Sequence, residues 1–432
     1  MRALYPAAAA FEGTGIDVNE IIYLKIRDSI EIFKQKAIRL LQDLIRIPSV
    51  NQPPNGDEKA VQEFYSTWLN RHEINSSVIF PDRIIDFINH PARLLEHSMY
   101  ERPIVIASLK GSGDGRSLLL VSHADTESVG ERSKWIEDPF SGVELNGKIY
   151  GLGSGDDKCG MTIAAMVPLI LRRAGIELSG DLVIASVADE ESGGGNGTAA
   201  LLASKVVADA AVYLDGSNQA IWNVGLGGGC VNLTIEPEVN IDFSNRIEKI
   251  KKKIIGIKSE IKQRVILDPD FGLNFFENDL QYGFYSIRQR QLDDKRIQLS
   301  FFLDTLPGDD DISLQRHVET ELGTMGSIKI NWMSRFLKPA KKLNDNHPLI
   351  VTLSSSFTQA TGRKAMIGPG RQSDQGLIDY FGKIPCVLFG CGRRGKDGAP
   401  HQENEYVLLD EFLENLLTVT LFAAHWCGMR QK

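Results

Sequence analysis

Short apolar runs that end abruptly in polar residues recur along the chain. Leu118, Leu119, Leu120 and Val121 empty into Ser-His-Ala-Asp-Thr, residues 182–187 into Ala-Asp-Glu-Glu-Ser-Gly-Gly-Gly, and residues 210–214 into Asp215. A uniformly apolar strand has both faces covered, as an interior parallel strand does, and the carboxyl ends of such strands are where ligands collect. Further strands are predicted at 74–80, 104–109, 145–150 and 387–389. Between them lie segments of helical period. Residues 30–47 place Ile30, Phe33, Ala37, Leu40, Leu41, Leu44 and Ile45 on one face, and Pro48 closes the segment. Residues 58–69, 160–173, 348–360 and 409–425 read as helices too. Apolar strands emptying into acidic loops, with helices between, predict an α/β fold: a mixed sheet between helices.

The pattern changes at the glycines 225–229, which read as a hinge. A strand at 230–235 precedes a charged amphipathic helix with Ile247, Ile250, Ile254, Ile257, Ile261 and Val265 on one face. Strands at 282–287 and 297–304, a helix at 312–322 and a strand at 328–332 follow. Strand, helix, two strands, helix, strand is the split βαβ order of a ferredoxin-like α+β domain. The expected organisation is therefore a first domain in two parts, 1–228 and 335–432, with 229–334 inserted.

Composition narrows the class. At 432 residues the chain exceeds one hydrophobic core. A net charge of -8 argues against a nucleic-acid partner. No apolar run reaches the length of a membrane span, and the first residues carry too weak a pattern for a signal peptide. Cys159, Cys230, Cys386, Cys391 and Cys427 are few and scattered, as in a reducing compartment, so a cytoplasmic location is expected. The glycines at 151–155 and 193–195 match no phosphate-binding fingerprint, and the acids beside them would repel phosphate.

The polar residues stranded at strand ends form one set: His123, Asp125, Asp156, Asp157, Glu190, Glu191, Asp215, and His401 in Ala-Pro-His-Gln-Glu-Asn-Glu. Mixed imidazole and carboxylate ligands suit Zn²⁺ and accept Mn²⁺ or Co²⁺. Gathered without a cation, so many carboxylates would repel one another. Cys159 reads as a small packing residue, Asp157 and Lys158 as a structural pair in the turn, His90 and His97 as surface residues, and His317 and His347 as surface or capping residues.

In this order the segments SHADT, GLGSGDDKCG, ADEESGGG, YLDGS and APHQENEYV resemble the two-zinc hydrolases that include acetylornithine deacetylase, succinyl-diaminopimelate desuccinylase, glutamate carboxypeptidase, aminoacylase and related dipeptidases. The resemblance implies a zinc-peptidase-like catalytic domain and an inserted lid that also serves dimerisation. It implies that Asp156 bridges two metals, that His123 and Asp215 complete one site, and that Glu191 and His401 complete the other. Asp125 would orient His123, and Glu190 would be the general base for a water between the metals, cleaving an amide of an N-acyl amino acid or short peptide. The peptide between Asp156 and Asp157 would be cis. Arg371 and Ser373, in Gly-Pro-Gly-Arg-Gln-Ser-Asp-Gln, would face the substrate, and Glu405 would support the site or lie in solvent.

The inserted segment departs from the family pattern. Where relatives carry a histidine after the hinge, Thr234 to Asn245 reads TIEPEVNIDFSN, and where they carry an arginine before Leu-Pro the chain has Leu303-Asp304-Thr305-Leu306-Pro307. Losing one oxyanion donor costs about 10²–10³ in turnover. The alternative expectation is thus a metal-binding family member with lost or reduced catalysis.

Overall fold

Register between the apolar strands decides where the polar loops meet. In the computed structural model, which describes residues 18–191, 193–239, 241–269, 287–333, 337–370 and 373–431, Leu118–His123 pairs in parallel with Leu182–Val187 and with Ala210–Tyr213. His123 stands opposite Val187, and Tyr213 opposite Val121 and Leu388. The loops bearing Asp125, Asp189–Glu191 and Asp215 therefore leave the sheet at one edge. In order, the sheet runs Lys341–Lys342, Ile221–Gly225, Cys386–Leu388, Ala210–Tyr213, Leu118–His123, Leu182–Val187, Ile104–Leu109 and Ser76–Ile79, with Ile367–Gly370 also paired to Ile221–Gly225. Its centre is parallel, and its outer strands pair antiparallel except Ile367–Gly370, which runs parallel to Ile221–Gly225.

Alternation places Leu118 and Leu120 in one core and Leu119 and Val121 in another, so helices cover both faces. One face carries Val18–Arg46, Lys59–Arg71, Lys158–Arg173, Pro348–Thr361 and Leu409–Cys427; the other carries Asn196–Ala203 and Gln375–Gly382. The first helix begins well before residue 30 because Ile22, Ile26 and Ile30, four residues apart, continue its buried stripe. The expected strand at 145–150 is instead a hairpin. Asn146 and Gly147 take φ of 52° and 72°, the two left-handed residues that join Glu144–Leu145 to Lys148–Tyr150.

Gly227–Ile235, Ile297–Thr305, Ile287–Gln291 and Ile328–Trp332 form a separate antiparallel sheet in the order 287–291, 297–305, 227–235, 328–332. Ile247, Ile250, Ile254, Ile257, Ile261 and Val265 pack the Phe243–Leu267 helix on one face of it, as their spacing predicts. Of the strand expected at 282–287, only Ile287 lies within the described residues. The glycines read as a hinge are held by close approach: Gly228 exchanges backbone hydrogen bonds with Lys338 at 2.8 Å in both directions. At φ 137°, a Cβ on Gly228 would meet the Leu303 carbonyl oxygen at 2.0 Å. Among the described residues, no helix is long and apolar enough to cross a membrane, and none of the five cysteines forms a disulfide.

Candidate metal centre

Asp156 lies at the middle of the cluster. Its Oδ1 is 2.8 Å from His123 Nε2, and its Oδ2 is 3.2 Å from His401 Nε2. Glu191 Oε2 is 3.0 Å from the same His401 nitrogen, and Asp215 Oδ1 lies 4.0 Å from His123 Nε2. One carboxylate thus addresses two imidazoles through different oxygens, the disposition a bridging ligand needs. Ligand atoms of His123, Asp156 and Glu191 lie within 4.8 Å of one another, as do those of His123, Glu190 and Asp215, and those of Glu127, Glu191 and His401. The Asp156–Asp157 peptide is cis.

The supporting contacts are built from short loops. His123 Nδ1 donates to the backbone carbonyl of Asp125 at 3.0 Å, leaving Nε2 for the centre. The Asp125 carboxylate, expected to orient that ring, is farther from it, at 3.7 Å. Its Oδ2 instead accepts the amides of Glu190 and Glu191, each at 2.9 Å, and Asn51 Nδ2 at 2.9 Å. Strand alternation does not separate the two glutamates, because the strand ends at Val187 and Asp189 turns the chain with φ 59°. The cap formed by Asp125 is what fixes them. His401 also takes a left-handed φ, 62°, and its side chain remains 46% exposed at the mouth of the site.

The electrostatics call for cations. Burial, joined by the charge of Asp156, pushes Asp215 well above the usual carboxylate range, and burial raises Glu191 to about 8. Burial and the charge of Asp374 raise Glu190 to about 7. Burial works to lower His123 and His401, yet the acids around them hold both well above an ordinary imidazole. Against burial, the two histidines hold Asp156 well below its ordinary value. Hard carboxylates with borderline imidazoles, buried in excess of cationic partners, fit divalent metal ions.

Other expectations meet the structure unevenly. Asp157 and Lys158 do not pair: Asp157 accepts from the amides of Gly160 and His123 at 3.1 and 3.2 Å, while Lys158 Nζ donates to the Ile47 carbonyl at 2.9 Å. Cys159 sits in the core, His317 is exposed beside Glu260, and His347 caps the helix it precedes. Glu405 is buried and accepts the amides of Gly153 and Gly155 at 2.9 and 2.8 Å, bracing the loop before Asp156. Ser373 spends its hydroxyl on the amide of Gln375 at 3.2 Å, the start of a helix, and is not among the described residues lining the cavity. Arg371 lies outside the described residues.

Several residues of the site were missed. His97, expected at the surface, is buried, with Nδ1 2.9 Å from Asp189, and Asp189 also pairs with Arg102 at 2.9 Å. Lys338, after the separate antiparallel sheet, pairs with Asp374 at 2.7 Å. A cavity of about 680 Å³ brings Asp156, Glu190, Glu191, Asp215 and His401 together with Glu127, Lys338, Arg394 and, from the separate antiparallel sheet, Cys230, Asn232, Arg288 and Ser300. The available signal was alternation: Arg288 and Asn232 stand opposite Ser300 in register, on the sheet face that its helices do not cover.

A mixed sheet whose strand ends gather imidazoles and carboxylates under a second sheet defines a metallohydrolase. The chain belongs to peptidase family M20/M25/M40, whose description matches residues 119–425, and as such it is an amide-bond metallohydrolase. It is 25% identical over 450 aligned residues to N-formyl-4-amino-5-aminomethyl-2-methylpyrimidine deformylase of Bacillus subtilis (strain 168), covering 94% of this chain and 98% of that protein. Human carnosine dipeptidase 1 shares the fold with a TM-score of 0.71 at 15% identity, over 94% of this chain and 99% of that one. The Bacillus subtilis YXEP protein, a dinuclear metal-binding peptidase, does so with a TM-score of 0.56 at 14% identity, over 91% and 98%.

Proposed function

We propose that the chain hydrolyses the amide bond of a small N-acyl amino acid or short peptide at a pair of divalent ions, Zn²⁺ first and Mn²⁺ or Co²⁺ as substitutes. The observation that carries this reading is the split of the Asp156 carboxylate between His123 and His401, with Glu191 on one side and Asp215 on the other. Asp156 would bridge, His123 and Asp215 would hold one ion, and Glu191 and His401 the other. When bound, the ions supply Lewis acidity, lowering the pKa of water and polarising the scissile carbonyl.

The remaining steps belong to side chains. Glu190, lifted to about 7 by burial and by the charge of Asp374, is poised to take a proton from the attacking water and return it to the leaving amine. Asp125 holds its backbone still during that exchange. Lys338 and Arg394 place positive charge in the cavity where the family's lid histidine and arginine are missing. That supports turnover over the alternative of a silent metal-binding protein. Full-length similarity to a deformylase favours a short acyl group. We further propose 229–334 as the inserted domain and a homodimer through it. The exposed edge of Ile328–Trp332 has no further strand beside it among the described residues, and light scattering tests the dimer.

Metal-loaded protein should hydrolyse members of a panel of N-formyl and N-acetyl amines, N-acyl amino acids and dipeptides. Glu190→Gln should lower turnover about 10²–10⁴-fold with metal content unchanged. No hydrolysis anywhere on the panel, with two ions bound, would leave the silent metal-binding reading standing.

A further inference from the structure

Glu127 lies two residues past Asp125, outside the ligand set that the resemblance implies. Its ligand atoms share a 4.8 Å cluster with those of Glu191 and His401, the same two side chains that make one half of the centre. Its backbone amide donates to Glu191 Oε1 at 3.2 Å, so the loop bearing Glu127 is fixed against that half of the site. Its carboxylate is 3.4 Å from Nη2 of Arg288, which comes from the inserted sheet. The Arg288 side chain is 70% exposed and that of Glu127 14%, so the pair is long and its cationic end is held loosely in solvent. The other Glu127 oxygen accepts the amide of Ser128 at 3.3 Å. An ion between Glu127, Glu191 and His401 fits this arrangement, because three ligand groups of the right chemistry converge there.

We infer that Glu127 is an additional protein ligand for the divalent ion held by Glu191 and His401, and that Arg288 competes for the same carboxylate. Glu127 would add its carboxylate to the Asp156, Glu191 and His401 set when it parts from Arg288, and would withdraw it when the two pair. The inserted sheet therefore sets how tightly one of the two ions is held. This rests on the dinuclear reading above.

The test is metal affinity, measured by titrating Zn²⁺ into chelator-stripped protein against a competing chromophoric chelator. Unchanged circular dichroism certifies each variant as folded, and Glu127→Gln, which keeps the side chain's size, stands beside Glu127→Ala. Both should weaken one ion at least about tenfold and leave the other within about twofold, given that even outer groups of metal sites change affinity 10–100-fold. Arg288→Ala should tighten that same ion in the wild-type background and change nothing when combined with Glu127→Ala. Two ions bound with unchanged affinities in both Glu127 variants, or both ions weakened alike, overturns the role of Glu127. An equal effect of Arg288→Ala in the two backgrounds overturns the competition. A wild-type chain that takes up fewer than two ions overturns the dinuclear reading itself.

Discussion

Oδ2 of Asp156 lies 3.2 Å from Nε2 of His401, although the two residues are 245 positions apart in the chain. His401 is the only imidazole among the described residues on its half of the cluster, with Glu191 at 3.0 Å. Removing it should therefore empty that half alone. His401→Ala is expected to bind one ion where the wild type binds two, and to lose at least about a hundredfold in kcat/KM, since groups merely supporting a metal ligand cost 10–100-fold. Metal analysis after gel filtration checks the first, and steady-state kinetics the second. Retention of two tightly bound ions would contradict the assignment.

Asp125 works through the backbone. Its Oδ2 gathers the amides of Glu190 and Glu191 and the side chain of Asn51 while buried from solvent. Hydrogen bonds to a charged acceptor are worth about 1.5–3 kcal/mol each. Asp125→Ala should lower unfolding stability by at least about 3 kcal/mol by that measure and weaken metal binding. Asp125→Asn, which keeps an acceptor oxygen, should recover part of both. Urea melts of metal-free protein separate the structural loss from the metal-dependent one. If both variants match the wild type, the cap is dispensable.

Metal uptake should be strongly pH-dependent, and the sign follows from which groups hold protons. In the metal-free chain the acids around them raise His123 and His401 well above an ordinary imidazole, and burial lifts Glu191 to about 8. At pH 7 these groups are protonated, and ligation requires them not to be. Binding must expel protons, so affinity rises as pH increases and falls as the solution is acidified. Calorimetry at pH 7 in buffers of differing ionisation enthalpy should report release of more than one proton for the filled pair. A binding heat independent of buffer would show that the centre is already deprotonated.

The fold and the centre were legible to different depths. Leu118 to Val121 announced a covered strand because both its faces are apolar, and the residues that follow such strands had to emerge at one edge. His123, Glu191 and Asp215 lie at or beyond those strand ends, while Asp156 and His401 arrive on loops beside a separate three-stranded sheet. What could not be read is what long-range packing decides. His97 and Arg102 look like loop residues until Asp189 and Glu58 arrive from elsewhere in the chain. Asp125 seemed destined for the His123 ring because sequence shows proximity but not direction, and the turn after Val187 offers it two amides instead. Glu127 carried one local sign, a second acid in a loop already holding Asp125, but its neighbour Arg288 is contributed by a different sheet.

Arg102 supplies the final prediction, because it ties the site to stability. Its Nε donates to both Glu58 oxygens at 3.0 and 2.8 Å, its Nη2 donates to Glu58, and its Nη1 is 2.9 Å from Asp189 Oδ1. All three side chains are buried. Removing the guanidinium strands two acids where water cannot reach them, which costs about 3–5 kcal/mol. Burial already raises Glu58 to about 7, and without Arg102 its charged form loses the attraction opposing that rise. Asp189 directly precedes Glu190, so the damage should spread to the catalytic loop. Arg102→Ala should lower the urea midpoint and, in protein still folded, reduce kcat more than it raises KM. Arg102→Lys should not rescue, since a single ammonium cannot reproduce the planar fork that reaches Glu58 and Asp189 together. Full recovery with lysine would mean that charge alone, without the two-sided geometry, maintains the loop.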